Sequence, residues 1–522
     1  LNQKGFELSL VTPRIVLGRT VAFIFFLSLL GALASRAEAT ETLLWQNYGS
    51  EPATIGYANL DGSGGGLLNL SGAGSFDTPE GMAYDSVTNR LFVANGAPGL
   101  GQITYVNLDG SGAGVFTAPG APVEEPEGIT LDPAARTIYW INTRNDTISW
   151  ARLDGSAGGL LSTDGAPLTN AWRLAIDPVG GRLYWGDDQI GKTQIGYANL
   201  NGSGGGALDT TGAPEPKFVT GLSVDPVAGR LYWNDVASER NLIAFAATSG
   251  GNGGTISHDP APFEEPYGLA LDPGAGKLYW GNYDNAEPKA AEQFGFALLS
   301  GGAGPITISG VSTDGVQDPL LIKSPSGAGA PTITRNPKVP AELACSSGSW
   351  GADYPGSFVY QAPRSLVYQW SINGVVIGAG PERITAAKAG QYTCTVTAAN
   401  QAGSTAQTSA GVGIKATKVK LSTKKKSKSS PGSRVTFRVK AVNQGDIATR
   451  SSIKLCVKLP KAARDDLKAP RCKKLGALKG RAKKTLTIKI KVKPGADLGT
   501  DKLTFKVKGA AGKAAKSKIV VK

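Results

Sequence analysis

A chain of 522 residues with 70 glycines and 18% charged residues has room for about three domains and favours turn-rich β structure over long helices. Beyond the first forty residues no apolar run reaches the ~18 residues that a membrane-spanning helix needs, and a single histidine, His258, excludes a His-rich zinc site. The net charge of +14 is unevenly divided: residues 416–522 hold 32 Lys and Arg against 5 Asp and Glu, so an acidic body carries a strongly basic C-terminal part. Such asymmetry speaks of partners rather than of fold.

The N-terminus reads as an export signal. Lys4, Arg14 and Arg19 accompany an apolar stretch over residues 21–34, and Ala37-Glu38-Ala39 fits the small-x-small cleavage pattern. Residues 1–39 are expected to be removed, leaving a secreted, extracellular or surface-associated chain without a transmembrane span. The four cysteines, Cys345, Cys394, Cys456 and Cys472, lie in the exported part, where an even number points to disulfides. The first 340 residues hold none, so the largest domain must stand on its core.

Residues 40–325 are repetitive. One segment recurs six times: IGYANLDGSGGG from Ile55, ITYVNLDGSGAG from Ile103, ISWARLDGSAGG from Ile148, IGYANLNGSGGG from Ile195, IAFAATSGGNGG from Ile243 and FGFALLSGGAGP from Phe294. A second runs in step, from LLWQN at Leu43 to LYWGN at Leu278. A third precedes it, as in GMAYD from Gly81 and GLALDP from Gly268. Three apolar or β-branched runs and a weaker fourth, each closed by Gly, Asp, Asn or Pro, make four strands and their turns. Four strands in about 45 residues is the period of a propeller blade. The chain enters at the second-strand motif, and residues 319–323 (PLLIK) stand where a first strand would. That segment is expected to complete the first blade and close the ring, leaving no open sheet edge.

The Tyr-Trp followed by Asp or Asn, with Gly-Leu-x-x-Asp-Pro before and Asn-Leu-Asp-Gly after, resembles the YWTD (low-density-lipoprotein-receptor class B) repeat. The resemblance implies a six-bladed β-propeller that binds protein ligands. The Thr of the motif is replaced here by Ile141, Gly186, Asn234 or Gly281, so no interaction depending on it carries over.

Residues 326–417 place Cys345, Trp370 and Cys394 in the order of an immunoglobulin-like sandwich, with Tyr392 two residues before the second cysteine as in a tyrosine corner. The resemblance is to Ig-like modules of bacterial surface proteins and implies a Cys345–Cys394 bridge. The Lys/Ser-rich residues 418–433 read as a flexible linker. Residues 434–522 alternate apolar with basic residues, the pattern of half-buried strands. They are expected to form a basic β-sandwich, similar to adhesion-type domains, with Cys456 and Cys472 paired inside it. The fold class is therefore all-β.

Several motifs suggest chemistry. The literal phosphate-loop match over residues 186–193 fails on context, because a strand and not a helix follows it. His258 lies in a polar stretch between blades, and Glu124-Glu125 and Glu264-Glu265 sit in Pro-rich loops without the spacing of a calcium loop. None of these calls for a metal, a cofactor or a catalytic residue. The repeated Trp and Tyr are expected to pack between blades. The position just before each first strand differs: it holds Glu80, Glu127, Trp172, Thr220 and Tyr267, with Asp318 in the closing segment, and Arg173 replaces the glycine of the other copies. In a propeller these would ring the channel mouth with the composition of a binding hot spot. The expected function is binding or adhesion to a protein or glycan, with the basic part as a tether to anionic cell-envelope polymers. A lactonase- or lyase-type enzyme and a structural spacer are the alternatives. Nucleic acid is not an expected partner, since the basic part offers only Phe437 and Phe505 for stacking.

Overall fold

The computed structural model describes residues 41–99, 101–189, 192–237, 240–283, 294–354, 356 and 359–522; the expected export signal lies outside them. Six sheets of described residues make the blades: five are four-stranded and antiparallel, and the blade 1 sheet has four antiparallel blade strands and one added parallel strand. Blade 2 shows the plan: Pro79–Asp85, Arg90–Asn95, Gln102–Asn107 and Gly112–Phe116 pair in chain order. Blade 1 is the exception that closes the ring. Its second strand, Glu41–Asn47, pairs antiparallel with Val316–Lys323 from the far end of the propeller, with Leu43 opposite Leu321. Lys323 fastens the closure, bonding Asp272 of blade 6 at 2.7 Å and Glu41 of blade 1 at 2.9 Å. The six first strands stand side by side around the axis, blade 1 meeting both blade 6 and blade 2.

The repeat motif is explained by packing between and within blades. Trp45, Trp140, Trp185, Trp233 and Trp280 are wholly buried. In blades 1, 4 and 6 the indole covers a glycine on the adjacent strand. A Cβ at Gly56 or Gly196 would sit 2.4 Å from the ring, and one at Gly295 2.3 Å. This is why the third strand carries Ile-Gly or Phe-Gly there. The indole nitrogens of Trp140, Trp185 and Trp280 donate to the carbonyls of Pro122, Pro167 and Pro262 at 3.0, 2.7 and 2.8 Å. In the Asp-Pro turns Asp132, Asp177 and Asp225 each accept two backbone N–H bonds, which fixes the first-to-second-strand hairpin. The Asp61 carboxylate takes the Ser63 amide in the Asp-Gly-Ser turn, where Gly62 has φ +81°. The phosphate-loop match spans two antiparallel strands, Arg182–Gln189 and Lys192–Asn199.

The chain then forms a two-sheet sandwich. Ile333–Arg335, Glu342–Cys345 and Arg383–Thr385 make one sheet; Ser365–Ile372, Val375–Gly380, Gly390–Asn400, Gly403–Thr408 and Val412–Ile414 make the other. The Cys345–Cys394 disulfide joins them beside buried Trp370. The Tyr392 hydroxyl donates to the Lys388 carbonyl at 2.9 Å. Part of this sandwich enters the propeller. Val359–Tyr360 pairs parallel with the closing strand, Leu321 opposite Val359, and both residues are buried. Nearby, the Gly356 carbonyl accepts from the Val224 amide, and Asp353 binds the Ser86 hydroxyl. The end of the channel away from the ring residues is thus covered from within the chain.

The C-terminal sandwich stacks two five-stranded sheets. Phe437 and Phe505 are both wholly buried in its core, their rings 5.5 Å apart. Cys456 and Cys472 are bonded. The expected linker is corrected here: Val419–Ser422 and Lys426–Ser429 are strands, one in each sheet. Val419 and Leu421 are buried core residues. Lys426–Ser429 pairs parallel with the last strand through its backbone, which its Lys/Ser composition does not announce.

Two measurements test this packing. Trp185→Ala is expected to cost about 3–5 kcal/mol in denaturant unfolding, since it empties a fully buried indole site. Asp353→Ala is expected to cost about 1–3 kcal/mol, because the carboxylate takes the amides of Gln361 and Ala362, each at 2.8 Å, and holds the entering segment.

Candidate binding face at the channel mouth

In every blade a β-bulge interrupts the pairing of first and second strands beside the ring position. A bulge re-aims a side chain, and these occur at one rim of the propeller. The next position is glycine in blades 2, 3, 5 and 6 because the inner strands nearly touch there. A Cβ on Gly128 would lie 2.3 Å from the Trp172 carbonyl oxygen, and one on Gly221 2.6 Å from the Gly268 carbonyl carbon. Gly268 also has φ +70°.

Arg173 stands in this glycine row, and its side chain fills the axis. It is 4% exposed. Its Nη1 bonds the Asp318 carboxylate at 3.0 Å and the Glu80 carbonyl, and its Nε bonds the Thr220 carbonyl at 3.2 Å. The guanidinium lies 5.6 Å from the centre of the Tyr267 ring, within cation–π range. Residues of four blades therefore converge on one cation. The cavity left beside it holds about 20 Å³, room for about one water.

Glu80 and Glu127 lie on this cation's outer side and feel each other. Burial, then repulsion from Glu127, pushes Glu80 up to about 8. Burial pushes Glu127 up to about 7 against the pull of Arg173. Burial also raises Asp318, opposed by Arg173. Of these acids Glu80 and Glu127, half-buried at the mouth, are thus shifted towards retaining a proton near neutral pH.

The expected ring divides accordingly. Glu80, Glu127, Trp172 and Tyr267 are half-buried at the mouth. Arg173 and Thr220 are not contact residues: both are buried, and the Thr220 hydroxyl is closely bonded to the Pro266 carbonyl. The glycine row leaves a long side chain nowhere but the axis, which withdraws Arg173 from the surface. Two residues were missed. Tyr48 and Tyr283 follow the second strands of blades 1 and 6, and their rings meet at 6.0 Å; Tyr283 meets Tyr267 at 5.6 Å. Their signal was the matching Asn-Tyr ending of LLWQNY and LYWGNY. Trp172 packs on Phe218 at 5.9 Å. The mouth is therefore aromatic on one side and acidic on the other. The other chemistry-bearing motifs stay apart from it. His258 stacks on Phe263 at 4.3 Å, and Asn145 binds Glu124. Among the described residues no group of three or more His, Cys, Asp and Glu is arranged to hold a metal.

No protein-family model matches this chain, and no curated protein matches it. Solved structures do. The chain is similar to one in a nidogen/laminin complex at 19% identity, over 54% of this chain and 98% of that one, with a TM-score of 0.43. It is similar to TolB from Acinetobacter baumannii at 14% identity, over 54% and 66%, with a TM-score of 0.40. A gluconolactonase from Xanthomonas campestris matches at 14% identity, over 56% and 86%, with a TM-score of 0.36.

The acids and the cation give two predictions. Glu80 and Glu127 hold protons more tightly folded than unfolded, so their contribution is full below about pH 4.5, declines as pH rises towards about 8, and is constant above. Glu80→Gln is expected to flatten that decline when unfolding free energies of variant and wild type are compared across the window. Arg173→Met is expected to cost about 3–5 kcal/mol in urea unfolding, since it leaves Asp318 buried without its cation.

Proposed function

We infer that this protein is a secreted, non-enzymatic binding protein of YWTD-propeller type. Its channel mouth is the recognition face, the following domain is an Ig-like module, and the basic C-terminal domain is a tether to the cell envelope. The observation that carries the reading is the closed floor of the mouth: Arg173 and Asp318 fill the axis, leaving about 20 Å³. A lactone or sugar acid needs a pocket many times larger. What remains is a shallow face of Tyr48, Tyr267, Tyr283 and Trp172 beside Glu80 and Glu127. Half-buried aromatics present large rigid area at low entropic cost, and flanking acids favour a partner with Lys or Arg. That composition suits a segment of a protein better than a neutral glycan. The covered far end of the channel supports the same choice of face.

The test compares full-length wild type with Trp172→Ser/Tyr267→Ser on an array of envelope proteins and glycans, alongside hydrolysis of aldonolactones. Protein capture weakened at least tenfold in the double variant, with no turnover by either, is the expected outcome. Unchanged capture would remove the mouth from consideration. Turnover by wild type that disappears in the variant would favour the lactonase reading.

A further inference from the structure

The C-terminal sandwich carries its charge in an order that composition does not reveal. The sheet of Lys426–Ser429, Ala515–Val521, Gly499–Lys508, Lys454–Lys458 and Cys472–Lys474 buries one face. On the other face, register sets lysines directly opposite each other. Lys426, Lys518 and Lys502 form one row across three strands. Lys474, Lys454 and Lys508 form a second. All six are exposed, and none makes an ion pair among the described residues. The only acid in these strands, Asp501, is paired with buried Ile519 and so lies on the opposite face parity.

Like charges directly opposite on a sheet destabilise it. Strands are about 4.8 Å apart, so each row sets three ammonium-bearing positions within about 10 Å. Lys502 and Lys508 are six residues apart on one strand, which separates the rows by about 20 Å. Lys506 and Lys516, also exposed and outward, lie between them. A single anion cannot neutralise both rows; a linear polymer can. A phosphate chain with a charge on every short repeat matches rows this dense better than a polymer with one carboxylate per sugar, whose charges lie further apart. No aromatic ring stands on the face, since Phe437 and Phe505 are buried, so bases have nothing to stack on. The only exposed large aliphatic among the described residues of this domain, Leu498, precedes the strand Gly499–Lys508, so the face has no apolar anchor for a bilayer.

We propose that this lysine face is a docking track for a flexible linear phosphate polymer. It rests on the tether role inferred above and names the face and the ligand chemistry. The track binds by charge alone, so its affinity falls steeply with salt.

The experiment titrates full-length protein with medium-chain inorganic polyphosphate, with polyglutamate and poly-dT as controls, from about 50 to about 200 mM salt. Wild type is compared with Lys454→Ser/Lys502→Ser/Lys508→Ser/Lys518→Ser and with Lys420→Ser/Lys440→Ser/Lys489→Ser/Lys491→Ser on the other sheet. The first variant is expected to lose polyphosphate affinity at least tenfold and the second far less. The first is also expected to melt higher than wild type at low salt without polymer, because it relieves the opposed charges. Equal losses in both variants, no loss in the first, or equal affinity for polyglutamate overturns the proposal. Sedimentation with isolated envelopes separates it from the tether reading. Loss of polyphosphate affinity in the first variant, with wild type failing to sediment, would sink the tether and leave the track standing. Salt-sensitive sedimentation that the first variant retains in full would sink the track and leave the tether.

Discussion

The closure of the propeller by a strand from its far end is the constraint on which the rest depends. Val316–Lys323 completes the sheet begun by Glu41–Asn47, and Lys323 ties that seam to Asp272 and Glu41. Without it, blade 1 would present an unpaired edge and the inner strands would not form a ring. The seam also assembles the mouth. It sets Tyr48 against Tyr283, residues from opposite ends of the repeat array, and brings Asp318 to Arg173. The same closing strand then offers its outer edge to Val359–Tyr360. One pairing therefore stabilises the ring, composes its upper face and docks the next domain.

Arg173 gives that face its character. At four of the other blades a glycine lets inner strands approach to backbone contact. A single Arg in this row puts a cation on the axis, and only buried acids and carbonyls can satisfy it there. Burial raises the affinity of Glu80 and Glu127 for a proton, and the pull of Arg173 opposes it. The axis thereby becomes a plugged core, with room left for about one water.

Much of this was legible in the sequence, and the failures are instructive. The blade count, the closing segment and the tryptophans followed from repeats, because a residue that packs the same way in each blade recurs in each blade. The ring position was legible through the opposite signal, variation at a fixed place in the repeat. Arg173 was recognised as a departure but assigned to the surface, since nothing local tells how close neighbouring backbones come. The Lys/Ser strand Lys426–Ser429 was missed because its pairing with Ala515–Val521 is made by backbone and by residues some ninety positions away. The entry of Asp353 and Val359–Tyr360 into the propeller had no sequence signal at all.

The sequence by itself determined the all-β class, the six-fold repetition, the expectation that the cysteines are bridged and the division of charge. Those depend on local periodicity, turn chemistry and residue counts. Tertiary structure decided which repeated residues meet: that Tyr48 touches Tyr283, that Arg173 is a plug, that one end of the channel is covered, and that lysines scattered over residues 426–518 stand in rows. Each of these is a contact between strands remote in the chain. Its physical basis is ring closure or cross-strand register, and neither is encoded in any one segment.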